Sequence, residues 1–476
     1  MAEIIFHRHL QKILNHQKKN KNNLLFSTLF WRNNYFFNYL DDLDKNSTSI
    51  NTISLMIRKI EIFLKILKIF TIYFIRFSFF KLFVKKSSLS KNLEIFKVFF
   101  NPNFSGNNKE KNKNYFLIKK RYKANNKIFF LPVMNNFSTF NILSSIKNIN
   151  RESEKFLILE HYIGFFELTI ILFNFFLKTK IKIIFKNKDI SKFYEFHLHD
   201  PKQIESCFLA ILYFKFINNL NLTKFEFENL HLIWENHPID KALIKASKLY
   251  FPKVNIFGYL IVFPPFNYHS IIPTSLEFKE KLLPNYIYTN GSFINKNLKK
   301  YTKRIKVKTN SLFSKKKKIY KQLTKSNKIL ILLPIYIDEC IYILNLIKKV
   351  VIRNKKIENK IVIKFHPSVD SSKLLKENKR FKTLLKFISK KTTDNLINTS
   401  DKIIMGISSL YYDLICNNLD LIIITKKFKS IKEIFGIKNS KTLLIKDENN
   451  LCKVLNLKTK KMKKKFNSNL FNMIYS

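Results

Sequence analysis

The stretch KIVIKFHPSVD (360–370) sets a lysine, a histidine and a proline at the end of a β-branched run. Proline lacks an N–H and biases the residue before it toward an extended conformation, so His366 is expected at a strand end, just ahead of Pro367. Lys364 shares its side-chain parity, because strand side chains alternate. Further on, SDKIIMGISSLYYDLICNNLDLIIIT (400–425) carries a second run that reaches Gly406. There Ser408-Ser409 opens a helix and Asn417-Asn418 closes it. Hydroxyls at a helix start, with free backbone N–H groups and the positive end of the helix dipole, make a receptor for phosphate. In a parallel sheet both turns lie at the carboxyl edge, where open α/β sheets bind ligands. Taken singly, the histidine reads as a loop residue and the serines as ordinary caps; together they favour a nucleotide phosphate. The chain has no GxxxxGK[ST] and no GxGxxG, which argues against a P-loop or dinucleotide enzyme.

The elements that must hold these residues form an α/β alternation of short apolar runs and helical patterns. Strands are expected at 127–133, 180–186, 231–235, 253–263 and 286–290, then at 328–334, 360–365, 402–407, 419–425 and 442–446. KIFFLPV and KILILLP each end a strand at Leu-Pro before a polar loop and a helix. This shared layout implies two Rossmann-like lobes facing a cleft, a common place for small-molecule sites. The boundaries expected are a mostly helical N-terminal region (1–85), a first lobe (86–300), a basic hinge (301–327) and a second lobe (328–476).

Composition bounds the partners. The 476 residues suffice for two or three cores, and 46% are hydrophobic, which excludes wholesale disorder. Lys and Arg number 87 against 33 Asp and Glu, a formal net charge of +54. Such a field attracts polyanions. Only 6 Gly occur, while Phe alone numbers 49 and Lys, Asn and Ile abound, as A/T-rich codons dictate, so codon drift accounts for most of the charge. The lysines are dispersed rather than grouped with stacking aromatics, which speaks against a specific nucleic-acid partner. Four scattered cysteines without CxxC spacing predict a reducing compartment and neither a zinc site nor disulfides. The N-terminus lacks a signal-peptide core. Segments 60–84 and 165–177 are too charged or too short for the ~18 apolar residues of a membrane span. The first reads as a basic amphipathic helix, either facing the core or lying on an anionic membrane surface.

Strand, His-Pro, and a later strand with paired serines opening a helix together resemble GT-B glycosyltransferases of the bacterial sialyltransferase and polysialyltransferase kind, to which capsule Kdo-transferases are related. The blocks WENHPIDKALIKASKLYFPKVNIFGYL (234–260) and LLPNYIYTNG (282–291) are similar to surface carbohydrate biosynthesis proteins of the delta polysialyltransferase type. The likeness spans roughly 120–450. One departure stands out: the family's histidine-bearing turn reads Gly258-Tyr259-Leu260-Ile261 here, and His269 is no assured substitute.

The resemblance implies a metal-independent transferase without cofactor, moving an acidic, sialic acid- or Kdo-like sugar from a CMP-activated donor to a glycan or lipid-linked acceptor in surface polysaccharide synthesis. It implies that His366, Ser408 and Ser409 hold the donor phosphate; Lys364, by its parity with His366, and Pro367 beside it are expected at the same nucleotide-sugar site. In the first lobe Glu235 is the first candidate to deprotonate the acceptor and Asp240 the second; the competing reading of Glu235 is a helix cap. Asn290, Gly291, Asp338 and Glu339 are expected near the cleft. His161 and the histidines of FHLHD (196–200) read more simply as bystanders. The implied location is cytoplasmic, with peripheral contact at the inner face of the plasma membrane as its extension. The competing function is a catalytically inactive scaffold of the same shape that grips anionic polymer or membrane.

Overall fold

The structure is a computed structural model. It describes residues 52–88, 93–101, 128–134, 142–152, 156–176, 201–223, 225–261, 271–299, 303–309, 327–367, 378–425, 430–437, 440–456 and 467–475, with a few isolated shorter pieces. Those residues form two compact units. The first comprises 1–261, 269–289 and 298–308; the second comprises 262–268, 290–297 and 309–476.

The first unit is built on a six-stranded sheet. Its strands are β1 (Leu93–Phe100), β2 (Ile128–Met134), β3 (Phe227–Ile233), β4 (Asn255–Leu260), β5 (Tyr286–Thr289) and β6 (Lys306–Thr309), in the order β2-β1-β3-β4-β5-β6. The pairings β1–β2, β1–β3, β3–β4 and β4–β5 are all parallel. Strand β1 was not among the expected strands, and its sequence shows why. LEIFKVFF carries a lysine in mid-run, yet Lys97 is buried because its ammonium finds a partner inside the fold. Strand β6 lies within the stretch expected as a hinge, so the basic segment begins as a sheet edge, where charged residues are usual. Of the expected strand at 180–186, only Ile184–Phe185 is described, paired antiparallel with Lys188–Asp189.

Helices α1 (Thr52–Phe83), α2 (Ile142–Asn150), α3 (Phe165–Phe176), α4 (Pro201–Leu222) and α5 (Pro238–Tyr250) belong to the same unit. Helix α1 is therefore part of the first unit rather than a separate region. It buries Ile66, Ile69, Tyr73, Phe77 and Phe80, a stripe at helical spacing. Arg76 goes down with them, paired with the fully buried Glu160. The remainder of the expected N-terminal helical region, 1–51, lies outside the described residues. Strand β5 runs through Asn290-Gly291 into helix α6 (Ser292–Leu298).

The second unit holds a five-stranded, all-parallel sheet: β7 (Ile329–Leu332), β8 (Ile361–Lys364), β9 (Lys402–Met405), β10 (Leu421–Ile424) and β11 (Thr442–Ile445). Their order is β8-β7-β9-β10-β11. ILIL, KIIM and LIII are near-continuous apolar runs, as strands covered on both faces require. Helices α7 (Ile337–Arg353), α8 (Leu410–Cys416) and α9 (Glu448–Asn456) flank the sheet. Ile343, Ile347 and Val350 of α7 and Leu451 of α9 join Ile331, Ile363, Ile404 and Ile422 in one core. Both sheets thus share one order, with the second strand outside the first and the third on its other side. The α/β class and two parallel sheets are as expected. The strand order reverses between β1 and β3 in one unit and between β7 and β9 in the other, which is where α/β sheets open a crevice.

Candidate active site

In the second unit three chain exits are laced together beyond their strands. Leu333 N–H donates to Lys364 O (2.9 Å), and Gly406 N–H donates to Leu332 O (3.3 Å). A Cβ on Gly406 would stand 2.7 Å from Pro334 Cγ and 2.9 Å from its Cδ. Only glycine lets the β9 exit pass Pro334 so closely, at the very point of strand reversal. Ser408 and Ser409 follow, both half-buried. Ser408 Oγ accepts from Leu410 N–H (3.3 Å), while Ser409 occupies the cap position of α8 and makes no side-chain cap bond. Tyr411 and Tyr412, after Leu410, anchor the turn. Tyr411 stacks on Phe435 with ring centroids 3.9 Å apart, and Tyr412 Oη donates to Phe435 O (3.0 Å). Sequence reasoning passed over this buried tyrosine pair, although two adjacent tyrosines on a short helix are a recognisable anchor. Asn418 closes α8 with φ 54°, the left-handed conformation that asparagine tolerates.

His366 leaves β8 at the same edge. Its carbonyl accepts from Val369 N–H (2.9 Å), turning the chain after the exposed Pro367. Burial holds its imidazole below the usual histidine range, so at neutral pH the ring is uncharged and both donates and accepts. Lys364, the last residue of β8, is half-buried. One strand, β7, separates the exits of β8 and β9, roughly 9.5 Å for two inter-strand spacings. Asp338 and Glu339 lie in the first turn of α7, with Asp338 exposed and Glu339 buried. These carboxylates already take the favourable place at that helix start.

In the first unit Trp234 is fully buried beyond β3, and its backbone N–H donates to Tyr259 O (2.9 Å). Gly258 makes room for it, since a Cβ there would lie 3.1 Å from Trp234 and 2.9 Å from Pro284 Cγ. Gly258-Tyr259-Leu260 is strand, not the turn that the resemblance implied. Beyond Trp234, Asn236 adopts φ 58° and Pro238 opens α5. Asp240 is the organiser of this corner. One carboxylate oxygen accepts from Glu235 N–H (3.0 Å) and His237 N–H (3.1 Å), and the other pairs with Lys97 Nζ at 2.5 Å. With no exposed surface, Asp240 is closed to any acceptor hydroxyl; its place as second-choice base is corrected to that of a buried cap and counter-ion. Glu235 is released from capping. Its Oε2 lies 2.8 Å from His237 Nε2, with both side chains partly open to solvent. His237 and Lys97 are the residues that sequence reasoning missed; the signal for His237 was its place between Asn236 and Pro238.

Asn290 and Gly291, which follow β5 in the chain and belong to the second unit, are buried. His161 is half-buried, and its imidazole is held low by burial and by Lys86 and Lys81. His269 and the 196–200 histidines lie outside the described residues. Among the described residues no group of His, Cys, Asp and Glu is placed to hold a metal ion.

No protein-family model matches the chain, and no curated protein matches it. Solved structures do. The chain is similar to Staphylococcus aureus MnaA with UDP at 11% identity and a TM-score of 0.41, over 80% of this chain and 91% of that one. It is similar to Methanocaldococcus jannaschii UDP-GlcNAc 2-epimerase in complex with UDP-GlcNAc and UDP at 11% identity and a TM-score of 0.37, over 77% and 94%. Trehalose 6-phosphate synthase of Burkholderia multivorans follows at 8% identity and a TM-score of 0.38, over 77% and 88%. At such identities the chemistry has to come from this chain's own residues.

Proposed function

We propose that this protein is a metal-independent glycosyltransferase of the GT-B kind, taking an acidic sugar from a CMP-linked donor and passing it to a glycan acceptor. The observation that supports this reading is the shared edge in the second unit, where His366 and Ser408-Ser409 leave strands on either side of β7, at the reversal of strand order. The donor phosphate sits between them. As the bond from sugar carbon to phosphate oxygen breaks, its electron pair stays on the phosphate, and the imidazole and hydroxyl donors act on that growing charge. The acceptor oxygen forms the new bond to the sugar carbon as its proton is lost to a general base; in the first unit Glu235, paired with His237, has the chemistry for that role.

The test is a thermal-shift screen of CMP, CDP, UDP and GDP at moderate salt, repeated on His366→Ala and Ser409→Ala. A stabilisation specific to CMP that both variants lose supports the proposal. A preference for UDP in the same site changes the donor and keeps the phosphate site. Weak, salt-sensitive binding of all four nucleotides, unchanged in the variants, refutes the site and leaves an inactive scaffold held to anions by charge.

A further inference from the structure

Helix α1 carries two apolar faces. One is buried in the first unit, as described above. The other faces solvent along most of the helix: Met56, Ile60, Phe63, Leu64, Leu67 and Phe74 recur along it, with Leu64 58% and Leu67 50% exposed. The outer face of the expected amphipathic helix is thus largely apolar, with Thr71 exposed within the stripe and Lys68 and Glu61 beside it. Helix α3 extends the patch. Phe165 meets Phe74 with ring centroids 5.4 Å apart, and Phe166 beside it is 78% exposed. From Met56 to Phe74 this stripe runs about 27 Å at 1.5 Å per residue. An exposed apolar surface of that length marks an interaction site.

Basic groups border it at Lys68, at Lys81 and at the end of the helix, with Glu61 the single acidic residue of α1. Lys68 is exposed beside Leu64 and Leu67, and Lys81 Nζ lies 5.1 Å from the centre of the Phe165 ring. At the C-terminal end of α1 a shallow groove is lined by Phe83 and Leu143 together with Lys147 and Arg151. We propose that the outer face of α1, with the start of α3, lies on an anionic membrane surface, the apolar stripe at the level of the acyl chains and the lysines and arginine at the head groups. Among the described residues no helix is long and apolar enough to cross a membrane, and Arg76–Glu160 ties the inner face of α1 to its own unit. The helix therefore lies along the surface. A second copy of the chain fits less well, because pairing two such faces sets lysines against lysines in molecules that each carry +54.

The test uses the full chain with vesicles of phosphatidylcholine alone or with about one-third phosphatidylglycerol, at ~0.15 M and ~0.5 M salt, which differ severalfold in screening. Sedimentation with the anionic vesicles should persist in part at the higher salt. In I60S/L64S/L67S, which alters only exposed side chains, partitioning should fall on the order of tenfold with the thermal transition unchanged. The variant Leu67→Trp should fluoresce as a water-exposed indole alone and shift to the blue on anionic vesicles. Three results overturn the proposal. Partitioning that is equal in the triple variant and abolished by salt means charge alone. Indole emission from Leu67→Trp that is already blue-shifted without vesicles means that the chain itself covers the face. A dimer in light scattering that the triple variant loses means that a second copy covers it.

Discussion

Replacing Asp240 by alanine removes three interactions at once. Lys97, 1% exposed, keeps Ile233 O at 2.7 Å but loses its counter-ion, while the N–H groups of Glu235 and His237 lose their acceptor. Removing one partner of a buried pair costs about 3–5 kcal/mol, because the other charge stays buried. At about 2–4 °C per kcal/mol for a unit of this size, the first unit's melting midpoint should fall by roughly 6–20 °C. Lys97→Met should cost a similar amount by stranding the carboxylate. The double variant K97M/D240A leaves neither charge of this pair and should be more stable than D240A alone. The assay is scanning calorimetry of the full chain for all three variants. The reasoning is refuted if D240A melts with the parent while transfer is abolished, since Asp240 would then act on substrate. It is refuted equally if the two single losses simply add in the double variant.

Other consequences follow from the same geometry. Burial pushes the His231 imidazole down to about 3, and Phe96 stacks on it at 4.1 Å. The unfolded chain therefore takes up a proton near pH 6.5 that the folded one refuses. Stability is complete above that pH and falls as pH drops through it, by about 2 kcal/mol at pH 5, less whatever Glu94 at 3.7 Å from Nε2 restores. Urea midpoints at pH 7 and 5 should differ less in His231→Phe than in the parent. Gly406→Ala drives a Cβ against Pro334 and should cost the second unit about 1–3 kcal/mol, read as a lower midpoint together with weaker nucleotide binding. Burial disfavours the charged form of His366, and a bound phosphate, as an opposite charge beside it, should counter that and raise its proton affinity. Nucleotide affinity measured by calorimetry should then rise as pH falls from 8 to about 6, and the slope should flatten in His366→Asn. Asn418→Val, with a β-branched residue at φ 54°, should cost about 1–2 kcal/mol in thermal denaturation.

Periodicity and punctuation are local properties, and they made most of the sheets readable in advance. Nine of the ten expected strand segments coincide with strands of the two main sheets, and Leu333-Pro334, His366-Pro367 and Ser408-Ser409 mark strand exits as their types predict. The inner stripe of α1 was legible for the same reason. What distant pairing controls was not. Strand β1 was hidden by Lys97, whose acceptability in a sheet interior depends on Asp240, 143 residues away. That partnership also moved Asp240 from chemistry to architecture and left Glu235 free to meet His237. The order β8-β7-β9, which brings His366 and the serines to flank one point of reversal, belongs to the tertiary structure alone. A short segment encodes its own preference for strand or helix; which charges survive burial, and which strand ends become neighbours, is decided only when segments remote in the chain desolvate one another.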